Sequence, residues 1–393
     1  MNDTKRHRGT VQLGMSLLGV RVFAPLGAIA VLAILLVGAG GAGATNTPPP
    51  EAHTILATIP LVATVVANST MVFAQGVTNC SDIWGITPSG NVSVYATVPI
   101  SMPICEEGAL ALAPYTIPEP AAPGNSSLGW QHGGWGQGGC GCNTETLYDA
   151  IDGVLYEITD GGSNVSTVAT FPGVPAKSSE NMGLTYDQVG FFDNDLIVTS
   201  SSGGMVWLVN ATGNVTLLAQ LHAYIGGPAV APLGFGTYGG EVLIAVKYLD
   251  QIDAINASGN VSLATNWTTP NAVSFQSTAG FGGGWHRGGY GGGCGNGGGC
   301  SFGPNHDVLF VANYSSGAVE GFPASDIQNF TGQGFIAGGL NAGIASFTGN
   351  GTTTLFASQT ARLSDLAFIN CFQPNQCCHH HGCGGGGHGC GGK

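Results

Sequence analysis

Residues 205–219 read Met205-Val206-Trp207-Leu208-Val209-Asn210-Ala211-Thr212-Gly213-Asn214-Val215-Thr216-Leu217-Leu218-Ala219: an apolar strand, a short polar turn ending in Gly-Asn, then a second strand opening on Val and Thr. The phrase recurs as Ile83-Trp84-Gly85-Ile86 running to Gly90-Asn91-Val92-Ser93, and as Leu155-Tyr156-Glu157-Ile158 running to Asn164-Val165-Ser166. A fourth copy is Ile252-Asp253-Ala254-Ile255 running to Gly259-Asn260-Val261-Ser262. Gly and Asn tolerate the positive φ that tight hairpin turns demand, and period-two alternation marks the flanks as strands. A recurrence of this length indicates a repeat architecture.

Extending the phrase backward recovers a larger unit. Gly183-Leu184-Thr185-Tyr186, Asp195 to Thr199, Met205 to Val209 and Asn214 to Ala219 make four short strands. They fit in about 40 residues, the size of a propeller blade. With strands lettered A to D from inner to outer, strand B recurs at Thr146–Ala150, Glu241–Val246 and Asp307–Ala312. Strand A recurs at Gly108–Leu112, Pro232–Phe235, Asn271–Phe275 and Ala342–Phe347. The expected fold is all-β: a six-bladed β-propeller of four-stranded antiparallel blades over residues 53–371, with five or seven blades as the alternatives. The last unit, Ala342 through Leu363–Ile369, lacks a D strand, and His53–Ala57 is expected to supply it and cover the open edge.

In Pro270-Asn271-Ala272-Val273-Ser274-Phe275, in Asp307 through Tyr314-Ser315-Ser316-Gly317-Ala318-Val319, and in its Gly-Asn-Val-Ser hairpins, the chain resembles the NHL-repeat and gluconolactonase-like six-bladed propellers. The resemblance spans roughly residues 53 to 370 as a pattern shared by many propellers. It implies a divalent cation on the axis held by Glu, Asn and Asp side chains, which maps onto Glu107, Asn181, Asn271 and Asn341, with Glu106 and Glu180 beside two of them. Oxygen donors of this kind suit calcium or magnesium. The sequence departs from that pattern in offering no Asp for a general base, and in placing Pro232 where a polar group is expected. A binding or structural module is therefore the first expectation, and a metal-dependent lactonase-like hydrolase the alternative.

The ends and the charge narrow the setting. Lys5, Arg6, Arg8 and Arg21 precede an uncharged run from Val22 to about Ala39, with Ala42-Gly43-Ala44 after it. Residues 1–44 thus read as a secretory signal peptide or an uncleaved anchor, followed by a Pro-rich linker at 45–52. The expected location is secreted, extracellular or at the cell surface. Of nine Lys and Arg residues only Lys177, Lys247, Arg287, Arg362 and Lys393 lie beyond this leader, and the net charge is −13. Such a surface gives no footprint for nucleic acid or anionic lipid, so partners are expected to be proteins or further copies of the chain. Asn-x-Ser/Thr triplets occur at Asn68, Asn79, Asn91, Asn125, Asn164, Asn210, Asn214, Asn256, Asn260, Asn266, Asn313, Asn329 and Asn350. Turn chemistry alone explains several of them; glycosylation at a number of the others is the expectation.

The eleven cysteines concentrate in three Gly-rich segments. Two are read as A–B insertions, at about 115–144 (Trp130, His132, Trp135, Cys140, Cys142) and about 278–305 (Trp285, His286, Tyr290, Cys294, Cys300). The third is a tail at 372–393, expected to be disordered, with Cys377, Cys378, His379, His380, His381, Cys383, His388 and Cys390. Together with Cys371 these would gather on one face. Disulfide stapling, a bound zinc, copper or nickel ion, and a sticky assembly surface all suit this composition. Cys80 and Cys105 fall on the opposite face, and an exported setting favours a disulfide between them.

Overall fold

The protein is described from a computed structural model, for residues 54–100, 107–113, 146–174, 180–276 and 307–370. All belong to one unit, Pro48–Lys393. The leader, the linker, both Gly/Cys-rich insertions and the tail lie outside the described residues, as do Asn125 and every cysteine except Cys80.

Nearly all described secondary structure is β, in sheets of four and eight strands. One four-stranded sheet runs β6 (Ala109–Ala113), β7 (Thr146–Ile151), β8 (Val154–Thr159), β9 (Asn164–Thr170). The other runs β10 (Met182–Tyr186), β11 (Leu196–Ser200), β12 (Met205–Val209), β13 (Val215–Gln220). The first eight-stranded sheet joins β2 (Val62–Asn68), β3 (Val72–Gly76), β4 (Asp82–Ile86) and β5 (Val92–Thr97) to β24 (Leu363–Asn370), β19 (Asp307–Asn313), β20 (Ala318–Pro323) and β1 (Thr54–Thr58). The second joins β14 (Ile225–Val230), β15 (Val242–Val246), β16 (Gln251–Ile255) and β17 (Val261–Asn266) to β18 (Pro270–Phe275), β21 (Gly334–Gly338), β22 (Ile344–Phe347) and β23 (Thr353–Ala357). In each, the halves are antiparallel within and meet only at a short parallel pair, β2 with β24 or β14 with β18. The arrangement is consistent with a propeller.

The repeated phrase forms the hairpins β4–β5, β8–β9, β12–β13 and β16–β17, each with a bulge at its second or third residue. Three of the turns share one hydrogen-bond pattern, as in Gly213 N to Asn210 O (2.8 Å) and Gly259 N to Asn256 O (2.9 Å). Their glycine has a second task besides positive φ. A Cβ at Gly259 would collide with the Leu218 carbonyl of β13, and one at Gly162 with the Tyr95 carbonyl of β5. Gly90 approaches the Leu56 carbonyl of β1 in the same way, so these three glycines are seated on an outer strand, a close approach that a Cβ would block.

The same hydrogen-bond pattern appears a fourth time, in a fifth hairpin turn at Thr348–Thr352, with Gly351 N on Thr348 O at 2.9 Å. It corrects the strand order expected for the C-terminal part. Ala342–Phe347 is not an inner strand; β22 is a third strand, carrying its bulge at Ile344/Ala345. Leu363–Asn370 is the inner strand instead, and β19 pairs with it rather than with β18, whose partner is β21. The second insertion is thus not a connection within one sheet, but links β18 to a hairpin of the neighbouring half. Likewise Pro232–Phe235 is loop, and the inner strand of that sheet is β14, with the sequence Ile225-Gly-Gly-Pro-Ala-Val230. Its glycines and proline fit because Gly226 packs directly on the Asn271 carbonyl, and only Gly227 pairs across to Ala272. The N-terminal strand does cover an open edge, but that of β20, to which β1 is antiparallel, and not that of Leu363–Ile369 as expected.

Packing between sheets is aromatic and aliphatic. Trp207, 1 % exposed, lies 5.1 Å from Phe171 of the adjoining sheet. Phe235, Phe275 and Phe347 meet at 4.7 to 5.8 Å. Side chains of this size contribute roughly 1.5–3 kcal/mol each when fully buried.

Candidate functional site

One strand from each four-stranded set (β2, β6, β10, β14, β18 and β24) lines a cavity of about 170 Å³. Its polar groups gather where these strands begin. Glu107 precedes β6, Asn181 precedes β10, Tyr224 precedes β14 and Arg362 precedes β24, while Lys247 follows β15. Glu107 N–H donates to Asn181 Oδ1 at 3.0 Å, and Asn181 Nδ2 donates to Tyr224 Oη at 2.5 Å and to Glu107 Oε2 at 3.4 Å. Arg362 forms a salt bridge with Glu107 Oε1, their side chains 31 % and 18 % exposed. The Arg362 backbone is held by Ser315 Oγ (2.9 Å) and Tyr314 N (3.0 Å), with its guanidinium 4.4 Å from the Tyr314 ring centroid.

Lys247 is placed by its own backbone, whose N–H donates to Tyr224 O at 3.0 Å. Its ammonium stands 5.6 Å from the Tyr224 ring centroid. Burial pushes its pKa below the usual lysine value and the Arg362 charge adds to this, while Glu107 opposes it. Deeper along β24, Asp365 Oδ2 accepts Thr64 Oγ1 (2.8 Å) and Val65 N–H (3.1 Å), and Oδ1 accepts Leu366 N–H (2.8 Å). Burial raises its pKa to about 6 against the pull of those three donors, with Glu107 adding to the rise.

The sequence-derived candidates are only partly brought together. Glu107, Asn181 and Asn271 line the cavity. Asn271 is 6 % exposed and its Nδ2 donates to the Leu363 carbonyl, so it ties two inner strands together. Asn341 does not belong to the group; it sits exposed at φ +64° in the turn between β21 and β22. Glu180 is buried and accepts Ser200 Oγ and Ser202 N–H, both at 2.6 Å, which makes it a loop anchor. The four groups that sequence reasoning missed are Tyr224, Lys247, Arg362 and Asp365. Asp365 had a signal, a lone acid within the apolar run Leu363–Ile369, but it was hidden by reading that run as the third strand of its unit and not the innermost one. Lys247 and Arg362 had a signal in their rarity.

A cation of the calcium type needs several open oxygen donors. Here Glu107 is paired with Arg362, Asn181 Oδ1 already accepts the Glu107 N–H, and Asn271 is tied through Nδ2 to the Leu363 carbonyl, which leaves its Oδ1 as a lone donor. The residues present do not fit such an ion, and among the described residues no group of three His, Cys, Asp or Glu side chains is placed to hold a metal.

Of the remaining candidates, Cys80 lies in the β3–β4 connection, 1 % exposed and disulfide-bonded, with its carbonyl accepting Gln75 Nε2 at 2.7 Å. Cys105 is outside the described residues. The Asn of most described triplets is at least partly exposed, but Asn313 is 4 % exposed, with Nδ2 donating to Glu320 Oε1 at 2.7 Å. A sugar on that nitrogen is incompatible with this fold. The insertions and the tail attach at Ala113, Phe275 and Asn370, the C-terminal ends of cavity-lining strands and opposite the Glu107–Arg362 end.

No family model and no curated protein matches this chain. Among solved structures, it is similar to nidogen in a nidogen/laminin complex, at 10% identity and TM-score 0.46, covering 79% of this chain and 85% of that one. It is similar to the calcium-binding protein regucalcin from Agrobacterium tumefaciens at 10% identity and TM-score 0.44, covering 81% and 82%. A virginiamycin B lyase from Staphylococcus aureus, solved with quinupristin, gives 17% identity and TM-score 0.35 over 54% of this chain, which spans 59% of the lyase. These neighbours include propellers of the NHL and gluconolactonase-like kind, at low identity.

Proposed function

We propose that this chain is an exported, N-glycosylated binding module built as a six-bladed propeller, each eight-stranded sheet being two blades joined at the hub by its parallel pair. In this reading the axial cavity is the ligand pocket. The Gly/Cys/His segments make contacts from the opposite end, through disulfides or a bound zinc, copper or nickel ion, toward protein partners or further copies of the chain. A Cys80–Cys105 disulfide closes one connection on the pocket side.

One observation carries the choice of binding over the lactonase-like alternative: Glu107, the acid that a calcium-dependent hydrolase would need, is neutralised by Arg362. Freeing it would leave a guanidinium unpaired at a half-buried site, which is costly. The exposed Asn214 and Asn260 support the glycan part of the reading.

Metal content and thiol count of the purified mature protein test it, with and without truncation after Gln376. The expected result is no stoichiometric calcium, and oxidised cysteines or a soft metal that leaves with the tail. One calcium per chain that survives truncation and is lost in Glu107→Ala would replace this reading with the hydrolase.

A further inference from the structure

Only five of the nine cationic side chains lie beyond residue 21, in a chain of net charge −13. Among the described residues there are two: Lys247, which lines the axial cavity, and Arg362, which is paired with the cavity-lining Glu107 at the same end. Lys247 lines the cavity and, among the described residues, forms no ion pair. Arg362 cancels Glu107, so this end of the cavity is not negative.

An ammonium that is partly desolvated, while the carboxylate near it is already paired with a guanidinium, is costly, and an anionic ligand offsets that cost where a neutral one does not. A cationic ligand would be repelled by Lys247. Size sets the next limit: a cavity of about 170 Å³ is close to the roughly 150 Å³ that admits benzene, so one ring with a substituent fills it. Depth sets the last. Asp365 is three residues beyond Arg362 along β24, roughly 10 Å further in, and a second carboxylate reaching it would be repelled.

We propose that this mouth binds a small organic monocarboxylate, with the Lys247 ammonium as its direct charge partner and Arg362 keeping Glu107 neutralised. The inference rests on the cavity being a ligand pocket, and extends that reading to a ligand class.

Benzoate, benzamide and terephthalate, titrated into the full chain and followed by ligand-observed NMR, make a sufficient probe set. Benzoate is expected to bind at least ten-fold more tightly than benzamide or terephthalate. Lys247→Met should bring benzoate down to the level of benzamide, and Lys247→Arg should retain most of the binding; an unchanged unfolding midpoint excludes a folding defect. Equal binding of benzoate and benzamide to the wild type would overturn the carboxylate inference while leaving the pocket intact. So would a Lys247→Met variant that binds benzoate normally. Absence of binding by all three would overturn the carboxylate inference and count against the pocket itself.

Discussion

Asp149 is fully buried on β7, and its replacement by asparagine is expected to stabilise the protein at neutral pH. Its Oδ2 accepts Gln75 Nε2 at 2.9 Å, while Oδ1 and Gln75 Oε1 are both buried with no donor among the described residues. Burial raises its pKa to about 8 from 3.8, opposed by the Gln75 bond and reinforced by the Asp152 charge. The folded state therefore holds a proton that the unfolded chain gives up. Below about pH 4 both states are protonated and nothing is lost. Between the two pKa values stability falls by about 1.4 kcal/mol per pH unit, so roughly 4 kcal/mol is lost through this group by pH 7. An Asn side chain keeps the shape, cannot ionise, and its Oδ1 can still accept the Gln75 amide. Asp149→Asn should thus gain about 3 kcal/mol over wild type at pH 7 and nothing at pH 4, measured by urea unfolding across that range. A difference that stays constant with pH, or a variant that is weaker at pH 7, would refute the argument.

Three further outcomes are expected. Gly259→Ala should cost about 2–3 kcal/mol in thermal unfolding, because strain at positive φ is joined by the collision with Leu218 O; Gly332→Ala, at φ +79° with open space around it, should cost only about 1 kcal/mol. Equal losses would deny the seat between sheets. Thr64→Val removes a donor to the Asp365 carboxylate, so the Asp365 pKa should climb above its value of about 6 in a carboxyl NMR titration. In an expression host that glycosylates, Asn214→Gln and Asn260→Gln should each reduce the mass by one glycan. Asn313→Gln should leave the mass unchanged and lower stability by about 1–3 kcal/mol, through loss of its bond to Glu320.

The hairpins were legible in the sequence because a hairpin is local. The Gly-Asn turn, its bulge and the alternation on either side lie within about a dozen residues, and turn stereochemistry alone enforces them. The fifth hairpin, Thr348-Gly-Asn-Gly-Thr352, escaped only because no Val-Ser follows its Asn. The cavity was legible in part: Glu107, Asn181 and Asn271 were found from their places just before or at the start of inner strands. Asn341 was misplaced by the same rule, once Ala342–Phe347 was taken for an inner strand.

The sequence by itself determined the all-β class, the recurring hairpins and the glycine each turn requires. Which strand lies innermost in the last units was decided only by tertiary packing. That β24 pairs with β19, and β18 with β21, depends on contacts between segments far apart in the chain, and the entropy of closing such loops rises by only about 0.6 kcal/mol for each doubling of length. Chain proximity is thus a weak guide to pairing, and the fit at the hub, with Gly226 against Asn271 and Asp365 beneath Thr64 and Val65, selects the order. The same selection brings Arg362 to Glu107 across the hub, and so turns a suspected metal ligand into half of an ion pair.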